Sequence, residues 1–131
     1  MIIDASAVLA IFKGEPDARR FSDAIAAAPR CRMALPTWFE TAINVDSVGD
    51  QWASRRLDDF LETGRIALVA FELQHALIAR VAWQQYGRGR HPARLNYGDC
   101  MAYALAKVER DTLLYKGNDF AQTDIEAALK D

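Results

Sequence analysis

Short apolar runs alternate with segments whose hydrophobic residues recur every three or four positions, and the alternation starts at the first residue. Met1 to Asp4 reads as a short buried strand. Ala5 to Phe12 follows with Val8, Ile11 and Phe12 at helical spacing, and Lys13-Gly14 ends it. Glu15-Pro16 opens a second helix with Ala18, Phe21 and Ile25 on one face, and Pro29-Arg30 breaks it. Cys31 to Leu35 is the second expected strand, and Pro36 suits the first turn of the helix that carries Glu40.

The second half repeats the scheme. Ala53, Leu57, Phe60 and Leu61 make a helical stripe from Gln51 to Glu62, and Gly64 stops it. Arg65 to Phe71 reads as the third strand. Glu72 to Tyr86 reads as a helix with Leu73, Ala76, Leu77 and Val81 inward. Gly87 to Pro92 is an exposed loop. Asn96 is a helix N-cap with an acid three residues on, which predicts a capping box at the start of an alanine-rich helix. Thr112 to Tyr115 is a fourth strand, Lys116-Gly117-Asn118 turns out of it, and the tail is one short helix or frayed. Strands alternating with helices predict an α/β fold, a three-layer sandwich with a central parallel sheet flanked by helices, spanning residues 1–131 as one domain.

Composition narrows the class. At 131 residues, with 51% hydrophobic and 26% charged positions, the chain can bury a real core. A net charge of −2 signals no global attraction for nucleic acid, although a local basic patch can serve that purpose. Cys31 and Cys100 have neither metal-ligand spacing nor a disulfide pattern, which suggests a reduced, cytoplasmic setting. No signal-peptide pattern opens the chain, and no apolar run is long enough for a membrane span.

The candidate chemistry lies in four separated acids. Asp4, Glu40, Asp99 and Asp119 each fall where a strand ends or a helix begins. In an open parallel sheet the carboxyl ends of the strands share one crevice, so these positions converge. Carboxylates brought together without a base repel, and a hard divalent cation relieves that repulsion, so a magnesium or manganese site is expected. Taken singly, Asp4 could be a helix cap, Glu40 a solvated helix residue, Asp99 a helix-dipole acid and Asp119 a turn residue. Rival chemistries lack their partners: His75 has no second ligand nearby, and Ser6 has no histidine to activate it. Arg88 to Arg94 holds three arginines and His91 with no acid, which suits a polyanionic substrate.

Together these segments resemble the PIN domain, and within it the VapC-type toxins of bacterial toxin–antitoxin pairs. The resemblance rests on Met1-Ile2-Ile3-Asp4-Ala5-Ser6-Ala7-Val8-Leu9-Ala10, on Glu40-Thr41-Ala42, and on Tyr86-Gly87-Arg88-Gly89-Arg90-His91-Pro92-Ala93. It continues in Leu95-Asn96-Tyr97-Gly98-Asp99-Cys100, Leu113-Leu114-Tyr115-Lys116-Gly117-Asn118-Asp119-Phe120 and Thr123-Asp124-Ile125. It implies a magnesium-dependent endoribonuclease of the bacterial cytoplasm that cuts structured RNA such as transfer or ribosomal RNA. It also implies a small antitoxin partner and a homodimer. By motif position, Asp4, Glu40, Asp99 and Asp119 would form the catalytic metal site, Asp4 and Asp99 most directly. Ser6, Arg90, His91, Arg94 and Lys116 would contact substrate or support the first aspartate. Two segments depart from the pattern. Leu35-Pro36-Thr37-Trp38 stands where small serine-rich sequence is common, and Asn118 stands where some relatives carry an acid, so the number of metal ions stays open. A non-catalytic RNA- or protein-binding module and a structure-specific DNA nuclease are the alternatives.

Overall fold

The computed structural model describes residues 1–130. Its centre is a four-stranded parallel sheet in the order β3-β2-β1-β4. β1 (Ile2–Ile3) pairs with both β2 (Cys31–Ala34) and β4 (Leu113–Leu114), and β3 (Ile66–Val69) forms the far edge. β1 and β4 are only two residues long, shorter than the apolar runs suggest, because the chain turns into a helix or loop on leaving the sheet. One further ladder bond, Asp4 N–H to Leu114 O at 2.9 Å, carries the pairing to the first acid.

Alternation of side chains across the sheet divides the core in two. Ile3, Leu114 and Met33 face α1 (Ala5–Phe12), α2 (Ala18–Ala27), α3 (Leu35–Asp46) and α4 (Gln51–Thr63), where Val8, Phe21, Ile25, Val45 and Leu57 are buried. Ile2, Leu113 and Ala34 face the opposite way, among Ala82, Leu95, Tyr103, Leu105 and Phe120, under α5 (Leu73–Tyr86) and α6 (Tyr97–Glu109). Helices therefore cover both faces, as the alternation implies. Among the described residues no helix is long and apolar enough to cross a membrane.

The structure corrects three local readings. The second helix begins at Ala18, because Gly14 (φ +62°) and Pro16 form a turn first. The tail is not simply helical or frayed: after a 3-10 turn at Phe120–Gln122 it lies along the sheet edge, with Leu113 N–H donating to Glu126 O and Ala128 N–H to Leu113 O. The inward face of α5 is the largest correction. Leu73, Leu77 and Val81 are 75%, 56% and 48% exposed and Ala76 is exposed with them, while His75, Ala79 and Ala82 are buried. Small side chains on that stripe let α5 approach the alanine-rich α6, and this leaves the larger aliphatic residues outside.

Candidate active site

Each predicted acid reaches the carboxyl edge of the sheet by its own local route. Asp4 follows β1 with extended backbone and caps α1, and it is only 4% exposed. Ser6 N–H (3.1 Å) and Ser6 Oγ–H (2.6 Å) both donate to Asp4 Oδ2, which fixes the carboxylate. Ser6 Oγ in turn accepts from the Lys116 backbone N–H at 2.9 Å, tying the β1 edge to the β4 exit.

Asp99 is the N3 residue of α6. Its N–H donates to Asn96 Oδ1 (2.8 Å), and Asn96 N–H donates back to Asp99 Oδ2 (2.9 Å), the expected box with Asp in place of Glu. Glu40 is half-buried on α3, its carboxylate pressed against Gly98: a Cβ built there would stand 2.3 Å from Oε2. Asp119 is exposed and begins the 3-10 turn after β4.

Electrostatics shows that these acids share one region. Burial, above all, pushes the Asp4 carboxyl up to about 6, and the Glu40 charge adds to the rise while the Ser6 hydrogen bonds oppose it. Asp99 is likewise pushed up to about 6, first by burial and then by Asp4 and Asp119, with the Asn96 N–H and Arg88 pulling it down. Glu40 is raised by burial and by Asp99. The four are coupled but not clasped: among the described residues no three Asp, Glu, His or Cys side chains stand together as a finished metal cage. Mutual repulsion opposes such closure. The donor set itself, all carboxylate oxygen in a partly dry crevice, matches a hard divalent cation.

The basic candidates separate. Arg88, Arg90 and Arg94 are exposed on the loop after α5 and, among the described residues, enter no ion pair. That loop is pinned at its base by Arg88 N–H to Leu95 O (3.0 Å) and Leu95 N–H to Tyr86 O (2.9 Å). His91 Nδ1 accepts from Ala93 N–H (3.0 Å) and its ring meets the Tyr86 ring edge-on, so it shapes the loop. The Lys116 ammonium is paired with Glu15 and with Asp17 (3.4 Å), joining the β4 exit to the α1–α2 turn.

The roles of two residues toward the acids escaped sequence reasoning. Gly98 seats Glu40, and its signal was a helix-weakening glycine inside the first turn beside Asp99. Arg88 acts on Asp99 by charge across the loop.

A parallel sheet carrying acids at its carboxyl edge thus stands beside an exposed arginine loop. Comparison with known proteins supplies the class. A model of the PIN domain family matches residues 1–126. Ribonuclease VapC of Mycolicibacterium smegmatis is 46% identical over 127 residues, covering 97% of this chain and 98% of that protein. Ribonuclease VapC28 of Mycobacterium tuberculosis is 42% identical over 130 residues, covering 98% of each. A chain of a toxin–antitoxin complex from Klebsiella pneumoniae shares the fold with a TM-score of 0.74 at 19% identity, covering 98% of each chain. VapC20 of Mycobacterium tuberculosis, described as a sarcin-ricin loop cleaving toxin, has a TM-score of 0.73 at 15% identity over 95% of each chain. The chain belongs to the PIN-domain family, in its VapC ribonuclease branch.

Proposed function

We propose that this protein is a divalent-metal-dependent endoribonuclease toxin held in check by a small antitoxin. The observation that carries the reading is the coupling of Asp4, Glu40, Asp99 and Asp119 at one sheet edge, in a chain whose relatives at 40–46% identity are named ribonucleases.

Asp4 and Asp99 would be the direct ligands of Mg²⁺, with Mn²⁺ as the alternative ion, and Glu40 and Asp119 would orient water or hold a second ion. An ion held there would supply a water of lowered pKa and offset charge on the phosphate. Ser6 keeps the Asp4 carboxylate in one orientation, so the ligand is placed before substrate arrives. Arg88, Arg90 and Arg94 offer cations to the RNA backbone, as point contacts that position without reading sequence. Lys116 contributes through its backbone and its clamp on Glu15 and Asp17.

Two exposed apolar surfaces support the partners. Phe39, Ile43 and Trp52 lie on α3 and α4 as a platform for an antitoxin helix. Leu73, Leu77 and Val81 form a stripe along α5 for a second copy. The deciding experiment treats structured cellular RNA with wild type, Asp4→Asn and Asp99→Asn, with and without EDTA. Cleavage by wild type alone, stopped by EDTA, is expected. Cleavage by either variant would remove that acid from the site, RNA binding without cleavage would make the chain a binding module, and cutting of DNA instead would change the substrate class.

A further inference from the structure

An apolar pocket of about 500 Å³ opens between α5 and the first turn of α6. We infer that it receives one unpaired nucleobase of the RNA, next to the bond that is cut; this rests on the ribonuclease reading above. The volume lies in the range of small-ligand sites. Buried Ala79 and Cys100, half-buried Phe71 and the exposed aromatic residues Trp83 and Tyr97 line it. Cys100 is buried and offers its side chain there as an apolar surface.

The aromatic walls are open yet held. Trp83 is 39% exposed and Tyr97 78%. Trp83 packs so closely on Gly87 that a Cβ there would stand 2.7 Å from Cε3 and 2.4 Å from the Trp83 carbonyl oxygen. The indole is therefore fixed by the backbone of the arginine loop rather than by the pocket's contents. Every base offers a π face, and stacking on an aromatic ring needs no particular sequence.

Charge and position identify the occupant. Arg80 and Arg88, both exposed, also line it, and among the described residues neither has an ion-pair partner. Among the described residues no acid lines the pocket. Two guanidiniums without ion-pair partners beside an apolar surface suit a base attached to phosphates. Asn96 and Tyr97 line the pocket in the same turn that presents Asp99, and Arg88 lines it from the neighbouring loop. A base seated here places its neighbouring phosphate over the acids.

The test uses the full-length protein and a short RNA containing its cut site, with an abasic sugar placed at each position in turn. Binding is read by fluorescence anisotropy in EDTA, and cleavage separately with Mg²⁺. One abasic position beside the cut should weaken wild-type binding and raise KM by about tenfold or more, with kcat little changed. Trp83→Ala should show the same loss and no further loss with that RNA, while Trp83→Phe retains most of the affinity. Tyr97→Ala, at an exposed position, carries the same test if Trp83→Ala fails to fold. Equal abasic losses in wild type and variant at every position would overturn the pocket, as would a Trp83→Ala effect confined to the sedimentation coefficient. Cleavage without coupling sinks the pocket and leaves the nuclease reading. Coupled binding without cleavage does the reverse.

Discussion

The Glu40 carboxylate rests on Gly98: a methyl group on that Cα would stand 2.3 Å from Oε2 and 2.7 Å from Oε1. The two residues come from different helices, and the next residue along α6 is Asp99. Absence of a side chain at Gly98 thus sets how near two acids of the site can approach.

Gly98→Ala tests that seat. The clash falls on the end of a flexible side chain, so the fold can yield by turning Glu40 aside, and alanine is the better helix former by up to about 1 kcal/mol. The variant is expected to melt at or above the wild-type temperature while its RNA cleavage falls about tenfold or more. Unchanged cleavage would show that Glu40 has no placed role.

Stability of the metal-free protein should fall as pH rises. The Asp4 and Asp99 carboxyls are raised from 3.8 to about 6, each chiefly by burial. A group raised in the folded state gives its stabilisation fully below the unfolded pKa and loses it as pH passes through the folded one. Asp111, held down by the N-terminal ammonium, and Asp124, held down by Lys107 and Tyr103, act in the opposite sense at lower pH. The informative window is therefore about pH 5 to about pH 7.5. Melting in EDTA should be higher at the acid end, and Asp4→Asn or Asp99→Asn should flatten the trend. Added Mg²⁺ should stabilise most at the alkaline end, where both carboxylates are charged. A trend of the opposite sign would refute the burial of these acids.

Ser6→Ala removes the hydroxyl that donates to Asp4 Oδ2 and accepts from the Lys116 N–H. The expected loss is about 1 kcal/mol in chemical denaturation. Because the Ser6 hydroxyl pulls the Asp4 carboxyl down, its loss should raise it further, with the backbone N–H bond kept, and move the acid limb of the pH–rate profile to higher pH. A profile that keeps its position while stability drops would mean that Ser6 supports only the fold.

What was legible in the chain had local causes. The run Ile2-Ile3-Asp4 announces a buried strand with an acid at its exit, and Asn96 with Asp99 announces a helix start; both stand as read. The seat of Glu40 was not legible, because it depends on a glycine brought near only by the packing of α3 on α6. The α5 error has another origin. Helical spacing points Leu73, Ala76, Leu77 and Val81 inward, yet the contact with α6 selects Ala79 and Ala82, whose smallness allows the approach. Among the cations, residue type alone could not separate the open Arg88 from Lys116, which is already paired with Glu15 and Asp17.

That α5 error leads to the last expectation. Leu73, Leu77 and Val81 recur at helical spacing on one exposed stripe, a larger apolar surface than scattered side chains would give. A second copy covering the stripe would make the protein a dimer through α5. Leu77→Lys introduces a charge at the stripe's centre, while an exposed position leaves the fold within about 0.5 kcal/mol of wild type. Sedimentation should show wild type as a dimer and Leu77→Lys as a monomer with an unchanged melting temperature in dilute solution. If both sediment alike, the stripe does not join two copies, and binding of the antitoxin to the same variants would then show whether the partner covers it.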